Sequence, residues 1–160
     1  MTRNITQIVP DIRQALQEVL EESVQAVYED LFKAGPYWSG QFATNWEVLP
    51  GKKSIKANIS TVDRPKQPKT RPLPEQIHIP DSPNLGGYSL GNRAKYRLYA
   101  MDIKPTPTGR RSPTFKRSDG TAVNLTSGSP PIKFWYDKYL NARIDTTIKK
   151  QIQSVFRKYQ

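Results

Sequence analysis

Residues 37–48 read Tyr-Trp-Ser-Gly-Gln-Phe-Ala-Thr-Asn-Trp-Glu-Val, at the point where a helix-patterned stretch gives way to strand-patterned ones. Gly40 is the one glycine of this run and follows Ser39, a pairing that favours a tight turn because glycine takes positive φ without steric cost. Trp38 and Trp46 flank that turn, and Phe42, Trp46 and Val48 supply bulk to fasten a helix on one side to a sheet on the other. Each large aromatic buries on the order of 150–250 Å², so tryptophans here weigh heavily in a small core. The stretch is a core hinge with no catalytic character.

Upstream, residues 10–34 carry Ile12, Leu16, Val19, Leu20, Val24, Val27, Leu31 and Phe32 at steps of three and four, which lines one face of a helix. Pro10 suits a first turn, Asp11 the positive end of the helix dipole and Lys33 its negative end. Gly35-Pro36 reads as a stop, with the glycine as a left-handed cap. Downstream, residues 42–49 and 53–62 read as two strands joined around Pro50-Gly51-Lys52-Lys53, the second alternating through Ile55, Ala57, Ile59 and Thr61. The expected fold is α+β: a long N-terminal helix packed on a small antiparallel sheet, with extended loops and a C-terminal helix.

The 160 residues suit a single domain, divided as helix 10–34, aromatic hinge and strands 37–62, Pro-rich basic arm 63–87, strands and hairpin 88–128 and C-terminal helical arm 129–160. Residues 64–74 mix bases with prolines and read as extended polyproline-like chain, so Arg64, Lys66, Lys69 and Arg71 are candidate arm contacts. Gly91-Asn92-Arg93 reads as a turn and residues 96–103 as a strand. Residues 114–117 and 122–125 flank Ser118-Asp119-Gly120-Thr121, whose Asp-Gly pair favours a type I′ hairpin. Ser129 before Pro130-Pro131 reads as an N-cap. Beyond it Tyr136, Leu140, Ile144, Ile148, Ile152 and Phe156 step by four, and Asp145-Thr146-Thr147 is weak enough in helix propensity to split the element.

The net charge of +11 is unevenly spread: residues 1–34 hold six acids and three bases, and residues 35–160 hold 22 bases and eight acids. Such a balance fits a nucleic-acid partner, an acidic protein surface or another copy of the chain. With no cysteine and the single histidine His78, no thiolate or histidine metal centre and no Ser-His-Asp triad is expected. Neither a phosphate-cradling glycine loop nor a nucleophile with its base stands at a working spacing, so no catalytic residue, cofactor or metal is expected and the chain does not read as an enzyme. The N-terminus lacks the apolar run of a signal peptide and nothing reaches the length of a membrane span, which leads to the expectation of a soluble protein made in a cytoplasm. The three Asn-x-Ser/Thr matches, at Asn4, Asn58 and Asn124, are then chance.

A long helix, then Ser-Gly-x-Phe-x-x-x-Trp, then strands, then Asn-x-x-x-Tyr-x-x-Tyr-Ala resembles the tail-completion and head–tail-joining proteins of tailed bacteriophages, in particular those related to the minor tail protein Z of lambda-like phages. Gly40, Trp46, Asn92 and Tyr96, with Tyr99 and Ala100, occupy the motif positions. Met101-Asp102-Ile103-Lys104 stands where that family has an acid and a glycine. The resemblance implies a structural virion subunit forming a ring, six-fold in symmetry, in the neck or tail top. Its partners would be other copies of itself, the connector or stopper, the tail-tube or terminator proteins, and packaged DNA. It implies a location in the virion after assembly in the host cytoplasm, and no membrane.

Rings need heterologous interfaces, in which one patch meets a different patch on the next copy. The acidic face bearing Glu18, Glu21 and Glu22 is the candidate for one side of such an interface. The basic arm, or the C-terminal helix through Lys149 and Lys150, is the candidate for the other. The competing reading is a nucleic-acid-binding module, whose Lys/Arg-rich arms track phosphates while Tyr88, Tyr96, Tyr99 and Trp135 stack on bases.

Overall fold

A computed structural model describes residues 5–37, 40–60, 70–82, 85–101, 114–116, 122–124 and 135–159. Its elements follow in the order α1 (Ile5–Ala34), α2 (Gln41–Thr44), β1 (Trp46–Pro50), β2 (Tyr88–Asn92), α3 (Arg97–Ala100), β3 (Thr114–Lys116), β4 (Ala122–Asn124), α4 (Trp135–Ala142) and α5 (Ile144–Lys158). This is the α+β arrangement expected: a long N-terminal helix, a small antiparallel sheet and a helical C-terminus.

Helix α1 begins before Pro10, which lies inside it. Proline forfeits one amide donor, but its fixed φ is close to the helical value, so an early turn absorbs it. At 30 residues the helix is about 45 Å long, more than a two-stranded sheet can cover. It therefore buries two separate patches. Tyr28, Leu31 and Phe32 enter the main core with Tyr37, Phe42, Trp46, Met101, Trp135 and Tyr139, while Ala15 and Val19 pack on Val155 and Tyr159 in a second cluster. Ile12 and Leu16, expected on the buried stripe, stay exposed. The stop at Gly35 works through close approach and not through a left-handed cap. A Cβ there would meet the Leu31 carbonyl at 3.0 Å and the Phe42 and Trp135 rings at 3.1 Å, and Gly35 is not among the positive-φ glycines.

Strand β1 pairs antiparallel with β2, in the register Trp46↔Asn92 through Pro50↔Tyr88. Among the described residues, 42–50 and 53–60, the expected hairpin does not form. Residues 41–44 are helical, and 53–60 run without ladder pairing apart from one parallel bridge, Ile59 to Ala94. The reason lies at the turn, whose polar groups are taken by β2 and its approach: Gly51 N–H donates to the Gly87 carbonyl (2.8 Å), and the Ser89 hydroxyl donates to the Gly51 carbonyl (2.7 Å). Asn92 is accordingly in a strand, not a turn. Of the alternating residues that are described, Ile55, Ala57 and Ile59, only Ile55 is buried, its side chain lying over Gly91.

The strand expected at 96–103 is instead the short helix α3, with Met101 N–H donating to the Arg97 carbonyl (2.8 Å). Helical spacing lets Tyr96 and Ala100, four apart, both pack on the main core, beside buried Met101. Residues 102–103, Trp38 and Ser129 lie outside the described residues. Strands β3 and β4 pair antiparallel around Phe115↔Val123, as the hairpin reading expects, with the turn at 118–121 also outside them.

The C-terminal helix does break, but at Arg143, two to four residues before Asp145-Thr146-Thr147 and their weak propensity. The expected stripe is not the buried one on either side of the break. Trp135, Tyr139 and Val155 are buried, each one position before a stripe residue, while Leu140, Ile152 and Phe156 are exposed. Helix α5 packs along α1 in the antiparallel sense: Thr147 meets Asp30, and Lys158 meets Glu18 and Glu22.

Candidate functional site

The four motif residues come together around Phe42. Gly40 starts α2 with φ 84°, and a Cβ added there would meet the Tyr37 hydroxyl at 2.9 Å. Glycine alone suits both the conformation and the space. The turn it makes directs Phe42 inward, where its ring lies 5.6 Å from Trp46, 6.4 Å from Tyr96 and 6.2 Å from Trp135. Asn92, opposite Trp46 in the ladder, is 1% exposed. Its amide donates to the Phe42 carbonyl (2.7 Å) and its carbonyl oxygen accepts from Ala94 N–H (2.9 Å). The Arg97 guanidinium donates to the Asn92 and Ile55 carbonyls at 2.8 and 2.9 Å, tying the same junction to the 53–60 segment. These residues hold the helix, sheet and C-terminal layers together, and their chemistry is architectural.

Of the candidate arm contacts, Arg64, Lys66 and Lys69 lie outside the described residues. Arg71 is engaged within its own chain. It donates to the carbonyls of Phe32 (3.3 Å), Lys33 and Gly35 (2.8 Å), and its guanidinium carbon lies 5.3 Å from the centre of the Tyr37 ring. The last carbonyls of a helix lack internal partners and form the negative end of its dipole, so a cation there serves as a C-cap. Partial burial pushes the Arg71 pKa down from its ordinary value. Nothing local in the sequence marks this arginine apart from its neighbours. Further along the same segment, Ile77 N–H donates to the Gln25 side chain (3.0 Å), so residues 71–77 lie along α1.

The acidic residues and the C-terminal helix also meet inside one chain. The Lys158 ammonium lies 2.6 Å from Glu22 and 3.9 Å from Glu18, and the bond to Glu22 raises the lysine pKa. Glu21 accepts from Gln17 (2.6 Å), whose amide also donates to the Tyr88 hydroxyl (2.7 Å). Lys149 and Lys150 are exposed. A groove of about 830 Å³ runs along this flank, lined by Glu18, Glu21, Glu22, Glu29 and Gln151 on the helices and by Ile77 and His78 across from them. Deeper in, Asp30 accepts from Tyr139 (3.2 Å) and Thr147 (2.8 Å), an inter-helix clasp that the sequence pattern did not mark. Burial first, then the Asp30 charge, pushes the Tyr139 pKa well up.

Among the described residues no three His, Asp or Glu side chains gather as a metal site, and no helix is long and apolar enough to cross a membrane. No family model, curated protein or solved structure matches the chain.

Proposed function

We propose that the chain is a structural subunit of the neck or tail top of a tailed bacteriophage, forming a ring that completes the tail and joins it to the head connector. The observation that carries this reading is the convergence of Gly40, Trp46, Asn92 and Tyr96 on one buried junction. A sequence resemblance spread over more than fifty residues thereby corresponds to a single architectural unit. The resemblance itself supplies the six-fold symmetry, the location in the virion and the partners, namely connector or stopper, tail-tube or terminator, and packaged DNA. The test is electron microscopy of lysates from a phage that encodes this chain with a stop codon at Trp46. Filled heads and free tails lying unjoined are the expected outcome, and intact infectious particles would overturn the reading.

A second reading, a module that binds DNA through phosphates, is favoured by one feature. The 53–59 segment runs beside β2, from Ser89 to Ala94, and carries exposed Lys53 and Lys56, with exposed Lys52 before it and exposed Lys95 after the bridge. Titration with duplex and single-stranded DNA separates the two readings. Affinity that falls steeply and linearly on a log–log plot against salt is the signature of phosphate contacts.

A further inference from the structure

The α1/α5 pair has two flanks of different character. Lys158 of α5 pairs with Glu18 and Glu22 of α1, and Gln151 lines the groove beside those glutamates, so the two mark the acidic flank. A helix advances about 100° per residue, which turns Ile152 and Phe156 of α5 toward the other side of the pair. On α1 the same geometry sets Ile12 and Leu16 away from Glu18, Glu22 and Glu29. These four apolar side chains are 37–50% exposed. Lys149, one turn before Ile152, borders them and is exposed. One flank is thus an apolar ridge edged with a base. The other is a groove whose glutamates are only partly answered by Lys158 and Lys33, and whose walls include Ala26, Ile77 and Ile79.

We infer that the ridge of one copy, Ile12, Leu16, Ile152 and Phe156 with Lys149, docks into the acidic groove of a second copy. Charge complementarity selects this occupant. A ridge meeting another ridge would set like charges against each other, whereas ridge in groove pairs Lys149 with Glu21 and Glu29 and covers apolar surface on both sides. Because the two surfaces lie on different flanks of one helix pair, each docking leaves one ridge and one groove free. That is a heterologous contact, which closes into a ring or runs on as a filament according to the rotation between copies. The inference rests on the ring reading and deepens it by naming the two faces that meet.

The experiment is sedimentation velocity on the full chain over a concentration series, with circular dichroism on every variant. The wild type is expected to form a species larger than a monomer. Glu21→Lys with Glu29→Lys, and separately Lys149→Glu, should each weaken self-association at least about tenfold. All three changes in one chain should restore it, because the reversed faces are again complementary. Phe156→Ser, at an exposed position, reads the apolar half of the contact independently and should also weaken association. A wild type that stays monomeric up to about 100 µM, roughly the weakest affinity a specific interface of this kind would show, overturns the inference. So do reversals without effect, or a combined variant that fails to recover. The neck reading fails separately, if particles lacking the protein are intact, whatever the sedimentation shows.

Discussion

The Asn92 side chain joins two segments that no backbone ladder connects, donating to Phe42 in α2 and accepting from Ala94 beyond β2. At 1% exposure neither partner can turn to water instead. Asn92→Leu keeps the approximate volume but strands a buried carbonyl and a buried amide, which should cost about 2–4 kcal/mol in urea denaturation. Arg71 acts on the end of α1 in a comparable way. Arg71→Ala removes both the cap and the stacking on Tyr37 and should lower stability by about 1–2 kcal/mol. Amide exchange in that variant should accelerate first in the last turn of α1. Arg71→Lys should recover less than half of the loss, because an ammonium cannot reach three carbonyls in the plane of a guanidinium fork. A stability unchanged by Arg71→Ala would show that the α1 terminus is held by the aromatic core alone.

Between elements, the α1–α4–α5 clasp on Asp30 makes the helical layer sensitive to alkali. The folded state raises the Tyr139 pKa above its ordinary value of 10.0, through burial first and the Asp30 charge second. A tyrosine favoured in its neutral form contributes its full stabilisation below the unfolded pKa, and that contribution is lost as pH climbs above about 10. Stability measured between pH 8 and 11 should therefore be level and then fall. Tyr139→Phe should flatten part of that fall while costing about 0.5–1.5 kcal/mol at neutral pH for the lost hydrogen bond. Absorbance titration should show the last tyrosine to ionise missing in the variant. An unchanged titration curve would place the late-ionising tyrosine elsewhere, with Tyr28, Tyr88, Tyr136 and Tyr159 the other described phenols whose pKa is raised.

Across the whole molecule the charge is split: a net excess of three acids in residues 1–34 and of fourteen bases in the rest. With +11 overall, copies repel one another at long range, yet the helix pair presents an acidic flank and a basic-edged one at short range. Screening acts on both effects, since the Debye length falls from about 10 Å at 0.1 M salt to about 3 Å at 1 M. Self-association by ridge and groove should therefore weaken between low and high salt without vanishing, because its apolar part is not screened. Complete loss of association at about 0.5 M salt would mean that charge alone holds the copies together.

Local order in the chain was enough to place the long first helix, the hairpin pairing near Phe115 and Val123, the helical C-terminus with a break, and the glycine turn at residue 40. Each depends on residues within a few positions of one another, where side-chain periodicity, proline and glycine act directly. The tertiary structure decided the rest. Trp46 pairs with Asn92 and not with the nearby 53–62 run, because loop-closure entropy rises only slowly with length and the Asn92 bonds outweigh the difference. Residues 97–100 turn helical because Ala100 and Met101 must reach a core that includes Trp135. Ile12, Leu16, Ile152 and Phe156 fit an apolar stripe in sequence but stay at the surface, since the helices meet through Ala15, Val19 and Val155. Burial is a property of which surfaces meet, and periodicity within one helix states only which residues are available to be buried.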